Sequence, residues 1–243
     1  MKTTLSLQPM TVIAVIFLAI TLVACDKRIR KHGSGVLTTV TKNLDQFSDV
    51  DMDGSYELVI HQGDESKVTI TTDDNIQSEV QAFVQDGKLF IEMSDDYYNY
   101  KYTQMQVHVY SDEFNRLDLN GSINVQCPDT IFAESLVCSH NGSGNCMVRF
   151  SGENLQLDIN GSATMQSSGN AVNIHAEING SGRIDALDVE STGGVAKIHG
   201  SGNIYVNCTE TLNASISGSG NIRYLGSPSV TSSIDGSGSI SPY

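Results

Sequence analysis

From Leu117 to Ile240 apolar and polar residues alternate, and the apolar ones return in fixed columns. A short phrase marks each return: Asn120-Gly121-Ser122, Asn141-Gly142-Ser143-Gly144, Asn160-Gly161-Ser162 and Asn179-Gly180-Ser181-Gly182, then the same Gly-Ser-Gly at 200, 218 and 236. The first glycines stand at 121, 142, 161, 180, 200, 218 and 236, a nearly even spacing. A period of this size, about 20 residues, is that of a solenoid. Four places after each glycine come Val125, Cys146, Met165, Ile184, Ile204, Ile222 and Ile240. Two before it come Leu119, Ile159, Ile178, Ile198, Ile216 and Ile234, with His140 the one polar intruder. Even offsets are apolar and odd ones polar, the period-two signature of strands with one buried face.

Each unit therefore reads as a strand, a sharp Gly-Ser corner, a second strand and a looser corner, the last marked by Gly152, Gly169, Gly193 and Gly226. Glycine supplies the backbone angles of the tight corner, and the Asn or Asp before it tolerates similar angles. One such coil cannot bury its apolar face alone; stacked coils bury it in ladders of like residues. The expected fold is all-β, a single-stranded right-handed parallel β-helix, the hand following from the general preference of parallel crossovers. A set of Asn-Gly hairpins is the rival, and the fixed column identity argues against it.

Residues 36–116 alternate as well, at Val36–Val40, Tyr56–Ile60, Val68–Thr71, Lys88–Glu92 and Gln106–Tyr110, with one helical turn over Asp74–Val80. They are expected as irregular early coils or as a sheet that closes the solenoid end, since a bare end invites aggregation.

Residues 1–24 carry one charge, Lys2, then an apolar run from Val12 to Leu22, and the segment ends in Leu22-Val23-Ala24 before Cys25. A basic start, a short apolar run and small residues before a cleavage point read as a secretory signal. The ending resembles a bacterial lipobox, which makes Cys25 the lipidated N-terminus; a transmembrane anchor or an ordinary cleavage site is the alternative, and the run is short for a span. Residues 25–35, basic and then Gly-Ser-Gly, suit a flexible tether, leaving 36–243 as the folded domain, irregular over 36–116 and regular over 117–243. The expected address is the bacterial cell envelope, held to a membrane by the lipid, on its periplasmic or surface face.

Charge narrows the partners. The chain has 14 basic and 28 acidic residues for a formal net charge of −14, and loss of Lys2 with the signal makes it −15. So acidic a surface is a poor match for nucleic acid. A glycan or an envelope protein remains a compatible partner, and the oligomeric state is left open. Four cysteines follow Cys25; Cys127 and Cys146 lie on adjacent coils and are the candidate disulfide, all three of Cys127, Cys138 and Cys146 being equally readable as small buried hydrophobes.

Little chemistry is on view. Asp49–Gly54 imitates the start of a calcium loop, but the twelfth position is Ile60 where a Glu belongs. The six histidines lack ligand spacing, the serines sit in corners without a base, and no cofactor phrase occurs, so no metal, cofactor or catalytic residue is assigned. Asp158 and Glu177, one coil apart in an outward column, are carboxylates of the kind a carbohydrate-active enzyme would use, but no second arm of a site is visible and they read as ordinary surface decoration. Four tyrosines, Tyr97, Tyr98, Tyr100 and Tyr102, form an amphipathic cluster of the kind binding surfaces use.

The order of Leu44–Val50, Gly54-Ser55, Leu58–Asp64, Asp86–Ile91 and Leu117–Ser122, followed by the serial Gly-Ser-Gly units, resembles the auto-transporter adhesin head GIN domain family. The resemblance runs from about residue 40 to the end. It implies a β-helical fold and an envelope or secreted location, and brings no catalytic residues. The function expected is a lipoprotein presenting a non-catalytic binding or scaffolding surface, adhesin-like; the alternatives are a polysaccharide lyase or hydrolase, or a structural accessory of the envelope.

Overall fold

The computed structural model describes residues 30–94 and 99–243. The signal segment, Cys25, Tyr97 and Tyr98 lie outside the described residues. Eighteen strands and one 3-10 turn, Gln77–Glu79, make up the described chain.

The amino-terminal strands are β1 (Arg30–His32), β2 (Leu37–Asn43), β3 (Asp49–Gly54), β4 (Glu57–Gln62), β5 (Lys67–Asp73), β6 (Val80–Gln85), β7 (Lys88–Met93), β8 (Asn99–Lys101), β9 (Met105–Ser111) and β10 (Arg116–Ser122). Then come the long runs β11 (Asn124–Ser143), β12 (Asn145–Gly161), β13 (Thr164–Gly180), β14 (Arg183–Gly200) and β15 (Asn203–Gly218), and the short closing strands β16 (Asn221–Leu225), β17 (Ser229–Gly236) and β18 (Ser239–Pro242). Successive long runs pair parallel and in register, so the chain is a parallel β-solenoid.

The columns predicted from the alternation are columns in space. Val125 stands over Cys146, then Met165, Ile184, Ile204, Ile222 and Ile240, each the direct cross-strand partner of the next. The core side chains from Val125 to Ile222 in this column are buried. On the other wall Leu119, His140, Ile159, Ile178, Ile198 and Ile216 stack in the same way. His140 keeps its place in that column: it points inward, fully buried, with Nε2 3.0 Å from the Ile123 carbonyl oxygen.

Two features differ from the sequence reading. Each run from Gly-Ser corner to Gly-Ser corner is one continuous strand, because the looser corner keeps its rung-to-rung hydrogen bonds; Phe150 pairs with Gly169, for example. Gly226 to Pro228 is where the chain does leave the ladder. The second difference concerns the amino-terminal half. Gly54, at φ +143°, is itself a corner glycine, and β3 and β4 form the first full rung: Met52 pairs with Leu119 and Leu58 with Val125. The 3-10 turn and the strands β5 to β9 are inserted between this rung and the next.

Those inserted strands extend the two walls. We call the wall leading into the Gly-Ser corner the leading sheet and the wall following it the trailing sheet. The leading sheet begins β6-β7-β3-β10, with β6 antiparallel to β7. The trailing sheet begins β2-β5-β9-β4, with β2 and β9 both antiparallel to β5. Antiparallel strands thus close the amino-terminal end of both walls.

Candidate functional site

Unit length is what shapes the outer surface. The steps from Gly142 to Gly161 and from Gly161 to Gly180 are equal, and the β12–β13 pairing passes unbroken from Asn145↔Thr164 to Ser151↔Asn170. The step before them, from Gly121 to Gly142, is longer by two, and the surplus appears as a slip in which Gln126 pairs with Met147 but Thr130 with Arg149. Cys127 to Asp129 therefore swell outward against one residue, Val148. The step after them, from Gly180 to Gly200, is longer by one, and its slip puts Asp188 opposite Ser168 where Asp185 is opposite Gln166. Such bulges bend the strand and re-aim its side chains.

The result is a trough on the trailing sheet, floored by β12 and β13 and walled by the bulges of β11 and β14. At three rung spacings it is about 14 Å from wall to wall. The hollow measures about 430 Å³, with Met147, Arg149 and Gln166 on its floor and Pro128 and Asp188 on its walls. A second hollow of about 360 Å³ shares Gln126, Met147 and Gln166 with it and runs on toward Glu57 and Gln106. Together they form one groove across the rungs, within the size range of pockets that hold organic ligands.

The groove is mostly neutral and hydrogen-bonding. Side-chain amides of Gln106, Asn124, Gln126, Asn145 and Gln166 line it, with Met147, 43% exposed, as an apolar step in the middle. Arg149 Nη1 donates to the Pro128 carbonyl at 3.3 Å, which braces the bulge and leaves the rest of the guanidinium facing the trough. Beneath lies Ser167, 6% exposed, whose hydroxyl has no hydrogen-bond partner among the described residues. Farther along, Arg183 lies over the Tyr205 ring at 4.1 Å and donates to Asp185 Oδ2 at 2.6 Å.

At the other end the structure joins histidines the sequence left scattered. His61 and Tyr110 are direct partners across β4 and β9, with ring centroids 4.6 Å apart, and His108 stacks on His61 at 5.4 Å. His61 Nε2 is 3.1 Å from His108 Nδ1, and His61 Nδ1 is 3.3 Å from Asp129 on the β11 bulge. Burial, reinforced by the charge of His61, lowers the pKa of His108. Among the described residues no group of three or more His, Cys, Asp or Glu is placed to hold a metal ion.

The candidates from sequence fare unevenly. Tyr100 and Tyr102 are partly buried and pack on the core; the Tyr100 hydroxyl donates to the Ser94 carbonyl at 2.8 Å and the Tyr102 hydroxyl to that of Ser55. Their polar ends thus serve the chain itself. Cys127 and Cys146 are free buried thiols, and the pairing between them is not made. They sit in different columns on adjacent rungs, two residues apart along the strand, which separates their Cα atoms by about 8 Å, more than a disulfide spans. Burial pushes the Cys127 thiol up to about 11 and the Cys146 thiol up to about 12, so both stay protonated. In the calcium-like stretch Val50 and Met52 are buried, while Asp51 faces Lys88 Nζ at 3.6 Å.

Asp158 and Glu177 are in register on the leading sheet. Burial raises the Asp158 pKa against an opposing hydrogen bond from Gln156. Burial also pushes Glu177 upward, but hydrogen bonds from His175 and Asn179 outweigh it and hold that carboxyl low. Every partner named here lies on the same sheet, so the two carboxylates form part of a flat ladder.

The sequence family described as "Putative auto-transporter adhesin, head GIN domain" matches residues 46–228, three quarters of the chain. The chain belongs to this family. Solved structures of similar fold agree on the architecture. One from Bacteroides fragilis, named a putative adhesin, superposes with a TM-score of 0.83 at 24% identity, covering 87% of this chain and 99% of that one. A putative lipid binding protein from Parabacteroides distasonis gives 0.76 at 26%, covering 88% and 100%. A putative adhesin from Parabacteroides merdae gives 0.72 at 23%, covering 88% and 99%. Among curated proteins none matches. The family's adhesin-like character associates this GIN-domain protein with the cell envelope.

Proposed function

We propose that this GIN-domain protein is a lipoprotein of the bacterial cell envelope, anchored through Cys25, that binds an extended glycan along the trailing groove without altering it. The observation that carries the reading is the groove between the two bulges. Amides that both donate and accept hydrogen bonds suit sugar hydroxyls, Met147 offers an apolar step for a ring face, and a groove open along its length accepts a polymer. The adhesin description of the family, and the adhesin name of the similar structure from Bacteroides fragilis, point the same way, toward surface contact and away from turnover. The tether that holds the solenoid off the bilayer is shorter than the 25–35 expected from sequence and reduces to residues 25–29, because Arg30–His32 pair with β8 and the Gly33 and Gly35 amides donate to the Lys101 carbonyl and Asp73 Oδ1 of the domain.

A glycan array probed with the folded domain tests the binding. We expect retention of a set of polysaccharides, lost in Met147→Asp and Gln166→Lys variants that melt like the parent. Release of shortened products from any retained polysaccharide, abolished by Asp158→Asn, would instead establish the leading-sheet carboxylates as a hydrolytic pair. Labelled fatty acid should enter the full chain and not the Cys25→Ala variant.

A further inference from the structure

The two ends of the solenoid are finished differently. Antiparallel strands close the amino-terminal end, whereas the last rung, β17 and β18, pairs on one side with β15 and β16 and has no described strand on the other. One rung in, the inward residues Leu212, Ala214 and Ile216 are buried; their successors Val230, Ser232 and Ile234 are partly or fully exposed, Ile234 at 45%. An open strand edge over an uncovered core end is a template for another strand.

We propose that this edge pairs with a second copy of the same chain, β17 lying antiparallel to its own equivalent about a two-fold axis through Ser232. Two features of the edge select a copy of itself. The first is pattern: inward residues must oppose inward residues in an antiparallel pair, and Val230 and Ile234 stand symmetrically two residues to either side of Ser232. Val230 of one chain then faces Ile234 of the other twice over, and each core end closes the other. The second is charge. The chain carries a net −14, so most faces of two copies repel, but between Leu225 and Tyr243 the one charged residue is Asp235. In the proposed register Asp235 faces Ser229 of the other copy, and the two aspartates lie at opposite ends of the pair. The arrangement is isologous and closed, so it yields a dimer and stops.

The register makes a sharp test. In the full chain, purified in detergent and mildly oxidised, Ser232→Cys sits on the axis and should give a reducible dimer. Ser215→Cys, outward on the neighbouring rung, should remain a monomer. The native thiols are buried and serve as background. Ile234→Lys, at a position already exposed in the single chain, should convert the parent dimer to monomer in sedimentation while the domain keeps the parent's far-ultraviolet circular dichroism spectrum and loses only the stability that association adds. A parent chain that sediments as a monomer, assemblies larger than two, or equal cross-linking from Ser232→Cys and Ser215→Cys would each overturn the proposal.

Discussion

A Cβ atom added to Gly142 would stand 2.1 Å from the carbonyl oxygen of Gly121, one rung away. The backbone there has φ +149°, and the same contact recurs at Gly161, Gly180, Gly200, Gly218 and Gly236, each against the corner glycine before it. The corners are stacked so closely that they also hydrogen-bond, Ser162 N to Gly142 O at 2.9 Å and Ser181 N to Gly161 O at 2.9 Å. Gly142→Ala meets fixed backbone and unfavourable dihedrals together, and should cost about 3 kcal/mol or more. Urea unfolding measures this; a variant with the parent's midpoint would show that the corners are not in contact.

Ile204 lies between Ile184 and Ile222 with no exposed surface. Ile204→Asp would place a carboxylate in a ladder that offers no partner, so a loss of about 4 kcal/mol or more is expected. Ile204→Val should cost roughly 1 kcal/mol. Comparing the two by thermal melting separates the charge from the lost volume.

His140 predicts a pH dependence of stability. Its Nε2 hydrogen bonds the Ile123 carbonyl and its buried Nδ1 has no partner among the described residues. Burial lowers its pKa from the ordinary value near 6.5, the Ile123 contact opposing this only in part. The unfolded chain therefore binds the proton more readily than the folded one. The stability associated with the neutral ring is present above the unfolded-state value and is lost as pH falls below it, toward the lowered folded value. His108 acts in the same direction. Melting temperature should decline from pH 7.5 to 5.5, and His140→Leu should flatten most of that slope. An equal slope in the variant would place the titration elsewhere.

Exposed asparagines contribute a smaller effect. Asn160 donates to Asn141 Oδ1 at 2.7 Å and accepts from Asn179 Nδ2 at 3.0 Å, part of a ladder that begins at Asn120. Asn160→Ala removes two solvent-exposed amide bonds, for a loss of about 1 kcal/mol. A calorimetric shift of about 2–4 °C downward corresponds to this in a chain of such length.

The repeating part of the fold is legible in the sequence because its physics is local. A glycine demanded by a corner, and an apolar residue demanded by a wall, recur at offsets that can be counted, and Ile184, Ile204 and Ile222 stack as their common offset requires. The first rung is harder to see because the next corner glycine after Gly54 is Gly121, and the strands between interrupt the count. His61, His108 and Tyr110 come together through pairing of β4 with β9, a long-range contact that spacing alone does not announce. Tyr100 and Tyr102 read as free rings in a polar stretch, and only the positions of the Ser94 and Ser55 carbonyls show them engaged. The trough is written in the sequence as the uneven spacing of Gly121, Gly142, Gly161, Gly180 and Gly200, which a search for regularity averages away.

That unevenness gives the groove its own test. Deleting Pro128 and Asp129 makes the step from Gly121 to Gly142 equal to the two that follow, and lets Thr130 succeed Cys127 in direct register with Arg149 and Val148. The deleted residues are exposed, and their removal takes away the Arg149 bond to Pro128, the Cys127 bond to Asp129 and the His61 interaction with Asp129. A shorter, in-register strand regains ladder hydrogen bonds, so the domain should stay folded, with its melting temperature within a few degrees of the parent. One wall of the trough is then gone, and glycan retention on the array should fall at least tenfold, about 1.4 kcal/mol or more in binding free energy. Undiminished retention by a folded deletion variant would remove the trailing groove from consideration as the ligand site.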